Sequence, residues 1–125
     1  MANGDTVRIL LVDDFEPWRR QVCSVLQTRP EFRVVGEAGD GLEAVQQAQE
    51  LNPDLIFLDI GLPGLNGLEA ANRIRELSLD ARIVFLTQDS DKDVRRAALS
   101  AGAQGYVPKA DASDELFTAI DGVCQ

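Results

Sequence analysis

Short apolar runs, often β-branched, alternate along the chain with longer stretches in which apolar residues recur every three or four positions. The runs "VRILLV" (7–12), "FRVVGEA" (32–38), "DLIFLD" (54–59), "RIVFLT" (82–87) and "GYVPK" (105–109) predict five strands. The stretches that follow them carry helical faces. These are marked by Trp18, Val22, Val25 and Leu26; by Leu42, Val45, Ala48 and Leu51; by Leu68, Ala71, Ile74 and Leu77; by Val94, Ala97, Ala98 and Ala101; and by Leu116, Ala119, Ile120 and Val123. Boundary residues agree. Pro17 suits a first helical turn, Pro53 cannot continue the second helix, Gly102 follows the fourth, and Ser113 with Asp114 and Glu115 opens the fifth.

Strands apolar on both sides and joined through helices predict a parallel sheet covered on both faces, that is, a doubly wound (βα)5 three-layer α/β sandwich with right-handed crossovers. In such sheets the functional crevice lies at the carboxyl ends of the strands. The first strand ends in Asp13 and Asp14, the third in Asp59, the fourth in Thr87 and the fifth in Lys109. Three carboxylates, a hydroxyl and an ammonium therefore share one edge. Adjacent carboxylates repel, so a chain keeps them where a cation lies between or across from them. Clustered carboxylates without histidine or thiolate are hard oxygen donors of the kind Mg²⁺ or Mn²⁺ takes, with positions left for water and phosphate. A carboxylate can also be the nucleophile of phosphoryl transfer. Asp59, the middle acid, followed by the turn "IGLPGLNG", is best placed for that role, with Lys109 and Thr87 suited to the transferred oxygens.

Composition narrows the picture further. At 125 residues and 45% hydrophobic, the chain is expected to form one domain over 1–125 with its core in 6–123. The net charge of −9 and the lack of a Lys/Arg-rich block argue against direct nucleic-acid binding through this chain. Its apolar runs are too short to span a bilayer and Met1 to Thr6 lacks a signal-peptide core, so no membrane partner and a cytoplasmic location are expected. The absence of histidine excludes His-based acid/base catalysis, and Cys23 and Cys124 lack metal-type spacing. Cys23 reads as core packing and Cys124 as an exposed thiol.

Taken together, "LLVDD", "LIFLDIGLPGLNGLEA", "IVFLTQ" and "GAQGYVPKA" resemble, in order, the motifs of the receiver domain of two-component response regulators. The wording around "LPGLNGLEA" and "GAQGYVPKADA" is most similar to receivers fused to helix-turn-helix DNA-binding outputs. The resemblance implies a flavodoxin-like strand order 2-1-3-4-5 and Asp59 as phosphoacceptor. It implies Asp14, Asp59 and the backbone carbonyl of Gly61 as metal ligands, with Asp13 acting through water. Thr87 and Lys109 would hold the phosphoryl oxygens, and Tyr106 would be the switch aromatic. Implied partners are a sensor histidine kinase or phosphotransfer protein and a second copy of the chain in a phosphorylation-dependent homodimer, through the face of the fourth helix, fifth strand and fifth helix. In this fold the positions that modulate hydrolysis flank the site: Gly61, Gln88, which would crowd the entrance, and Asp89, which would either align the attacking water or merely cap the next helix.

Other readings compete. "GDGLEA" (39–44) follows a strand and fits the G-x-G-x-x-A dinucleotide fingerprint, although Asp40 would then face a pyrophosphate. Singly, a strand-end acid reads as a cap, Lys109 as a surface lysine, and Pro63 with Gly61, Gly64 and Gly67 as turn chemistry. Ala110 stands where the family often has proline, which makes a cis bond after Lys109 dearer. The chain ends just after the fifth helix, so the expectation is either the excised half of a transcription factor or a stand-alone relay. A degenerate receiver that only binds partners is disfavoured by the complete acid, Thr and Lys set.

Overall fold

The computed structural model of the chain describes residues 6–62, 64–77, 81–87, 92–100, 104–109 and 112–123. Within them the alternation becomes β1 (Val7–Val12), α1 (Glu16–Leu26), β2 (Phe32–Ala38), α2 (Gly41–Leu51), β3 (Leu55–Asp59), α3 (Gly67–Glu76), β4 (Arg82–Thr87), α4 (Lys92–Ser100), β5 (Gly105–Pro108) and α5 (Ala112–Val123). The strands form one parallel sheet in the order β2-β1-β3-β4-β5. β3 begins one residue later and β5 ends one residue earlier than their apolar runs, although the Asp54 backbone still bonds Arg8 of β1 and Arg82 of β4 while its carboxylate accepts from the Arg8 N–H.

Parity along each strand decides which helices its residues meet. Leu10, Val12, Ile56, Leu58, Ile83 and Phe85 face one side, where they pack against Ala44 and Ala48 of α2, Ala70, Ala71 and Ile74 of α3, and Ala98 of α4. Ile9, Leu11, Leu55, Phe57, Val84, Leu86 and Val107 face the other, against Val22 and Leu26 of α1 and Leu116 and Ile120 of α5. Two apolar layers with the sheet between them are the predicted three-layer sandwich. Large side chains in the strands meet alanines in α2, α3 and α4, which lets those helices lie close to the sheet. Phe57 and Phe85 are fully buried, one in each layer.

Some predicted helical faces shift. Leu42 is 61% exposed, and α2 turns Gly41, Ala44 and Ala48 inward instead. Leu77 and Ala97 are likewise exposed, because Ile74 and Ala98 already fill the inward line of their helices. Gly102 and Cys124 lie outside the described residues. Among the described residues, no helix is long and apolar enough to cross a membrane.

The helix ends bring the chain to the sheet edge. Pro17 lies in the first turn of α1, and α2 ends at Asn52, whose left-handed φ of 47° closes the helix before Pro53. Asp40 and Asn66 cap α2 and α3 by accepting from the N–H groups of Glu43 and Glu69. Gly67 opens α3 directly against β3, and a β-carbon there would lie 2.2 Å from the Asp59 carbonyl oxygen. By contrast, a β-carbon on Gly61 would come no nearer than 4.0 Å to the Asp59 carboxylate.

These contacts order two substitutions in one loop. Gly67→Ala is expected to lower unfolding stability by about 1–3 kcal/mol, since backbone must move to admit the methyl group, whereas Gly61→Ala should leave it nearly unchanged. Urea denaturation of both variants checks the difference.

Candidate functional site

Asp13 is the first residue past β1, and its N–H still reaches across to the Ala38 carbonyl of β2 at 3.0 Å. That bond carries the ladder one step beyond the strand and holds the residue fully buried. Its two carboxylate oxygens have separate partners. Oδ1 accepts from the Phe15 N–H at 2.9 Å, and Oδ2 pairs with Lys109 Nζ at 2.5 Å. The same ammonium lies 3.5 Å from Asp59 Oδ2 and 5.4 Å from the centre of the Trp18 ring.

Asp59 closes β3. Its Oδ1 accepts from the Gly61 N–H at 3.2 Å, and the following Ile60 N–H continues the pairing to the Leu86 carbonyl of β4. Asp14, next to buried Asp13, is exposed, and one oxygen from each of Asp13, Asp14 and Asp59 lies within 4.8 Å of the others. Thr87 is buried at the end of β4, in register with Pro108, the residue before Lys109. The predicted acids, hydroxyl and ammonium thus share one sheet edge. Tyr106 pairs with Phe85 one layer back and packs against the cluster that contains Ala98 of α4. Gln88, Asp89, Pro63 and Ala110, and with Ala110 the geometry of the bond after Lys109, lie outside the described residues.

Electrostatics follow from this crowding. Burial pushes the Asp59 carboxyl above its ordinary value of 3.8; Lys109 opposes the rise, Asp13 adds to it, the Gly61 N–H opposes it, and Asp14 adds to it again. A site that makes its central carboxylate costly to ionise is one that a cation would relieve. Three hard oxygen donors, one open to solvent, fit a Mg²⁺-type ion.

Two of the site's contributors, Arg19 and Glu37, have no mark in the sequence, whereas Trp18 follows Asp14 by about one helical turn. Arg19 donates to the Asp13 backbone carbonyl, Glu37 pairs with Arg19, and the Trp18 ring lies beside Lys109. Helical periodicity puts Trp18 on the inner face of α1, but neither its neighbour across the site nor the return of Arg19 to the turn before its own helix is a pattern of spacing. Cys23, read as core packing, is only half-buried. Its thiol lies 3.8 Å from Glu37 Oε2, and burial pushes it up, helped by Glu37 and opposed by Arg19.

The dinucleotide fingerprint dissolves in the fold. Asp40 caps α2, Glu43 accepts the Gly39 N–H at 2.8 Å, and a β-carbon on Gly41 would meet the Leu65 carbonyl at 1.9 Å. The loop after β3 covers the helix start where a pyrophosphate would have to lie.

The sequence profile of the response regulator receiver domain matches residues 9–121. The chain belongs to that family. The receiver is 38% identical over 120 residues to the nitrate/nitrite response regulator protein NarL of Escherichia coli K12, covering 96% of this chain and 56% of NarL. It is 41% identical over 115 residues to the transcriptional regulatory protein LiaR of Bacillus subtilis, covering 91% of this chain and 54% of LiaR. The chain spans about half the length of these relatives. A two-component response regulator of the LuxR family from Aurantimonas sp. superposes with a TM-score of 0.90 at 38% identity, over 94% of this chain and 84% of that one.

The raised Asp59 carboxyl sets a pH dependence. With its folded value above the unfolded one, the folded state favours the neutral acid, and stability is lost as pH rises from the ordinary value through the folded one. Without metal, Asp59→Asn should therefore melt higher than the unaltered chain at pH 7, with the gain vanishing below pH 3.8, where both side chains are neutral. Thermal melts across that range in chelator-treated buffer check this; equal melting temperatures at pH 7 would contradict it.

Proposed function

We propose that this receiver is a phosphorylation switch in which Asp59 accepts a phosphoryl group from a phosphohistidine of a sensor histidine kinase or phosphotransfer protein. The observation that carries the reading is the setting of Asp59, a strand-end carboxylate between the Gly61 N–H and an ammonium already shared with Asp13. A carboxylate oxygen of Asp59 attacks phosphorus, the N–P bond of the donor breaks, and its electron pair returns to the imidazole nitrogen. The product is an aspartyl phosphate. Lys109 and the Thr87 hydroxyl take the phosphoryl oxygens, so the ammonium that now partners Asp13 follows the new negative charge.

Asp14, Asp59 and the Gly61 carbonyl would hold Mg²⁺, or Mn²⁺, with Asp13 acting through water. Both Asp13 oxygens are engaged by Phe15 and Lys109, which supports the indirect role. Bound there, the ion neutralises charge on the acid cluster and the incoming phosphoryl group.

The output follows from Thr87 and Tyr106. As Thr87 moves toward the phosphoryl group, Tyr106 turns inward and the face of α4, β5 and α5 repacks. That repacking controls a phosphorylation-dependent homodimer and, through it, transcription; the similarity to the transcriptional regulatory protein LiaR supports that output. The contact of Tyr106 with the cluster that includes Ala98 supports this route. The phosphorylatable unit is the single receiver domain of 6–123, acting in the cytoplasm. Asp89, two positions beyond Thr87, aligns the water that hydrolyses the phosphoryl group, while Gln88 and Gly61 set its access; the domain catalyses only its own phosphorylation and dephosphorylation.

Incubation with acetyl phosphate and Mg²⁺ should add one phosphoryl mass to the chain, and neither Asp59→Asn nor excess chelator should allow it. Intact mass spectrometry reads the result, and persistent addition to Asp59→Asn would overturn the assignment. From the purified phosphoprotein, Asp89→Ala should release phosphate roughly 10-fold more slowly, at the low end of a general-base contribution. A decay equal to or faster than that of the unaltered chain would remove Asp89 from the reaction.

A further inference from the structure

Arg19 is half-buried against the acid turn, with 17% of its side chain exposed. Its Nη1 donates to the Asp13 carbonyl at 2.5 Å, and its Nε donates to Glu37 Oε1 at 3.0 Å. The Asp13 carbonyl belongs to the peptide that joins Asp13 to Asp14, so the guanidinium holds the plane of that peptide. Glu37 is itself anchored. It pairs in register with Leu11, its backbone carbonyl accepts from Gln47 Nε2 at 2.7 Å, and its second carboxylate oxygen lies 3.8 Å from the Cys23 thiol.

We propose that Arg19 is a positioning residue for the cation site: its fork, clamped to β2 through Glu37, fixes the Asp13–Asp14 peptide and thereby the placement of the exposed Asp14 carboxylate. The proposal rests on the reading of Asp13, Asp14 and Asp59 as the site of Mg²⁺. Two sides of Asp13 are then tied to β2. Its N–H is held by Ala38 and its carbonyl, through Arg19, by Glu37. Only a planar fork bonds both partners at once; an ammonium keeps the charge but not the paired geometry.

The sign of the effect separates positioning from charge. Removing a positive group near a cation site strengthens cation binding by Coulomb's law, the more so as Glu37 would be left unpaired. Removing a positioning group weakens it, and groups that orient metal ligands typically contribute about 10- to 100-fold to affinity. Mg²⁺ titration by calorimetry, below the melting temperature of each metal-free variant, reads the sign directly.

Arg19→Gln should bind Mg²⁺ roughly 10-fold more weakly than the unaltered chain, and Arg19→Lys should fall between the two. Arg20→Gln, which removes an equal charge from an exposed pair with Glu16, should bind as the unaltered chain does. Affinity in Arg19→Gln equal to or tighter than that of the unaltered chain overturns the proposal, as does an equal weakening in Arg20→Gln. If Arg19→Gln does not fold, Arg19→Lys decides, and affinity equal to that of the unaltered chain overturns it. Failure of the unaltered chain to bind Mg²⁺ overturns the cation-site reading and this proposal together, whereas its binding without loss in the Arg19 variants overturns this proposal alone.

Discussion

At the carboxyl edge of the sheet a single ammonium, Lys109, lies between two buried carboxylates, 2.5 Å from Asp13 and 3.5 Å from Asp59, while a third, Asp14, stands beside them in solvent. Like charges at such separations repel strongly unless opposed, and burial removes the water that would screen them. Among the described residues, Lys109 pairs with Asp13 and Asp59 while Asp14 stands beside them, so carboxylates outnumber the ammonium that meets them. The raised Asp59 carboxyl is the local sign of that deficit, and the donor set that invites a divalent ion and a phosphoryl group is its chemical consequence.

The rest of the fold holds this unfavourable arrangement in place. Repulsion would drive the acids apart on a free chain, but Asp59 ends β3 and Asp13 directly follows β1, and the residues before each are fully buried. Moving Asp13 away would withdraw Leu10, Leu11 and Val12 from two apolar layers. Moving Asp59 would withdraw Phe57 and Leu58, and would strain the start of α3, where Gly67 lies against the Asp59 carbonyl. Burial of several large side chains, each contributing about 1.5–3 kcal/mol, outweighs a repulsion that Lys109 already offsets in part.

A second set of contacts sets direction rather than position. The Phe15 N–H, the Gly61 N–H and Arg19 each bind an acid through an oxygen, of the carboxylate in two cases and of the backbone in the third. Asp13 is thereby occupied on both sides, while Asp14 stays free to meet solvent. Two neighbouring residues of one type thus acquire different chemistry from their surroundings, as one points into the layer packed by α1 and α5 and the other out of the edge.

Much of this was legible in the linear pattern, because period-two and period-3.6 hydrophobicity are local properties that need no partner. The five strands and five helices, the covered parallel sheet and the common edge of Asp13, Asp14, Asp59, Thr87 and Lys109 follow from where apolar runs stop. The misread positions were those where neighbours compete for the same line of contact. Leu42 and Leu77 have the right spacing, but alanines and Ile74 let the helices come closer, so the larger side chains remain outside. Which oxygen of Asp13 meets Lys109, the return of Arg19 to the preceding turn, its pairing with Glu37 from a different strand, and the covered start of α2 that removes a plausible dinucleotide fingerprint were decided by tertiary structure alone. Each depends on the direction of a side chain or backbone group across a gap between elements distant in sequence, and no periodicity along one element carries that direction.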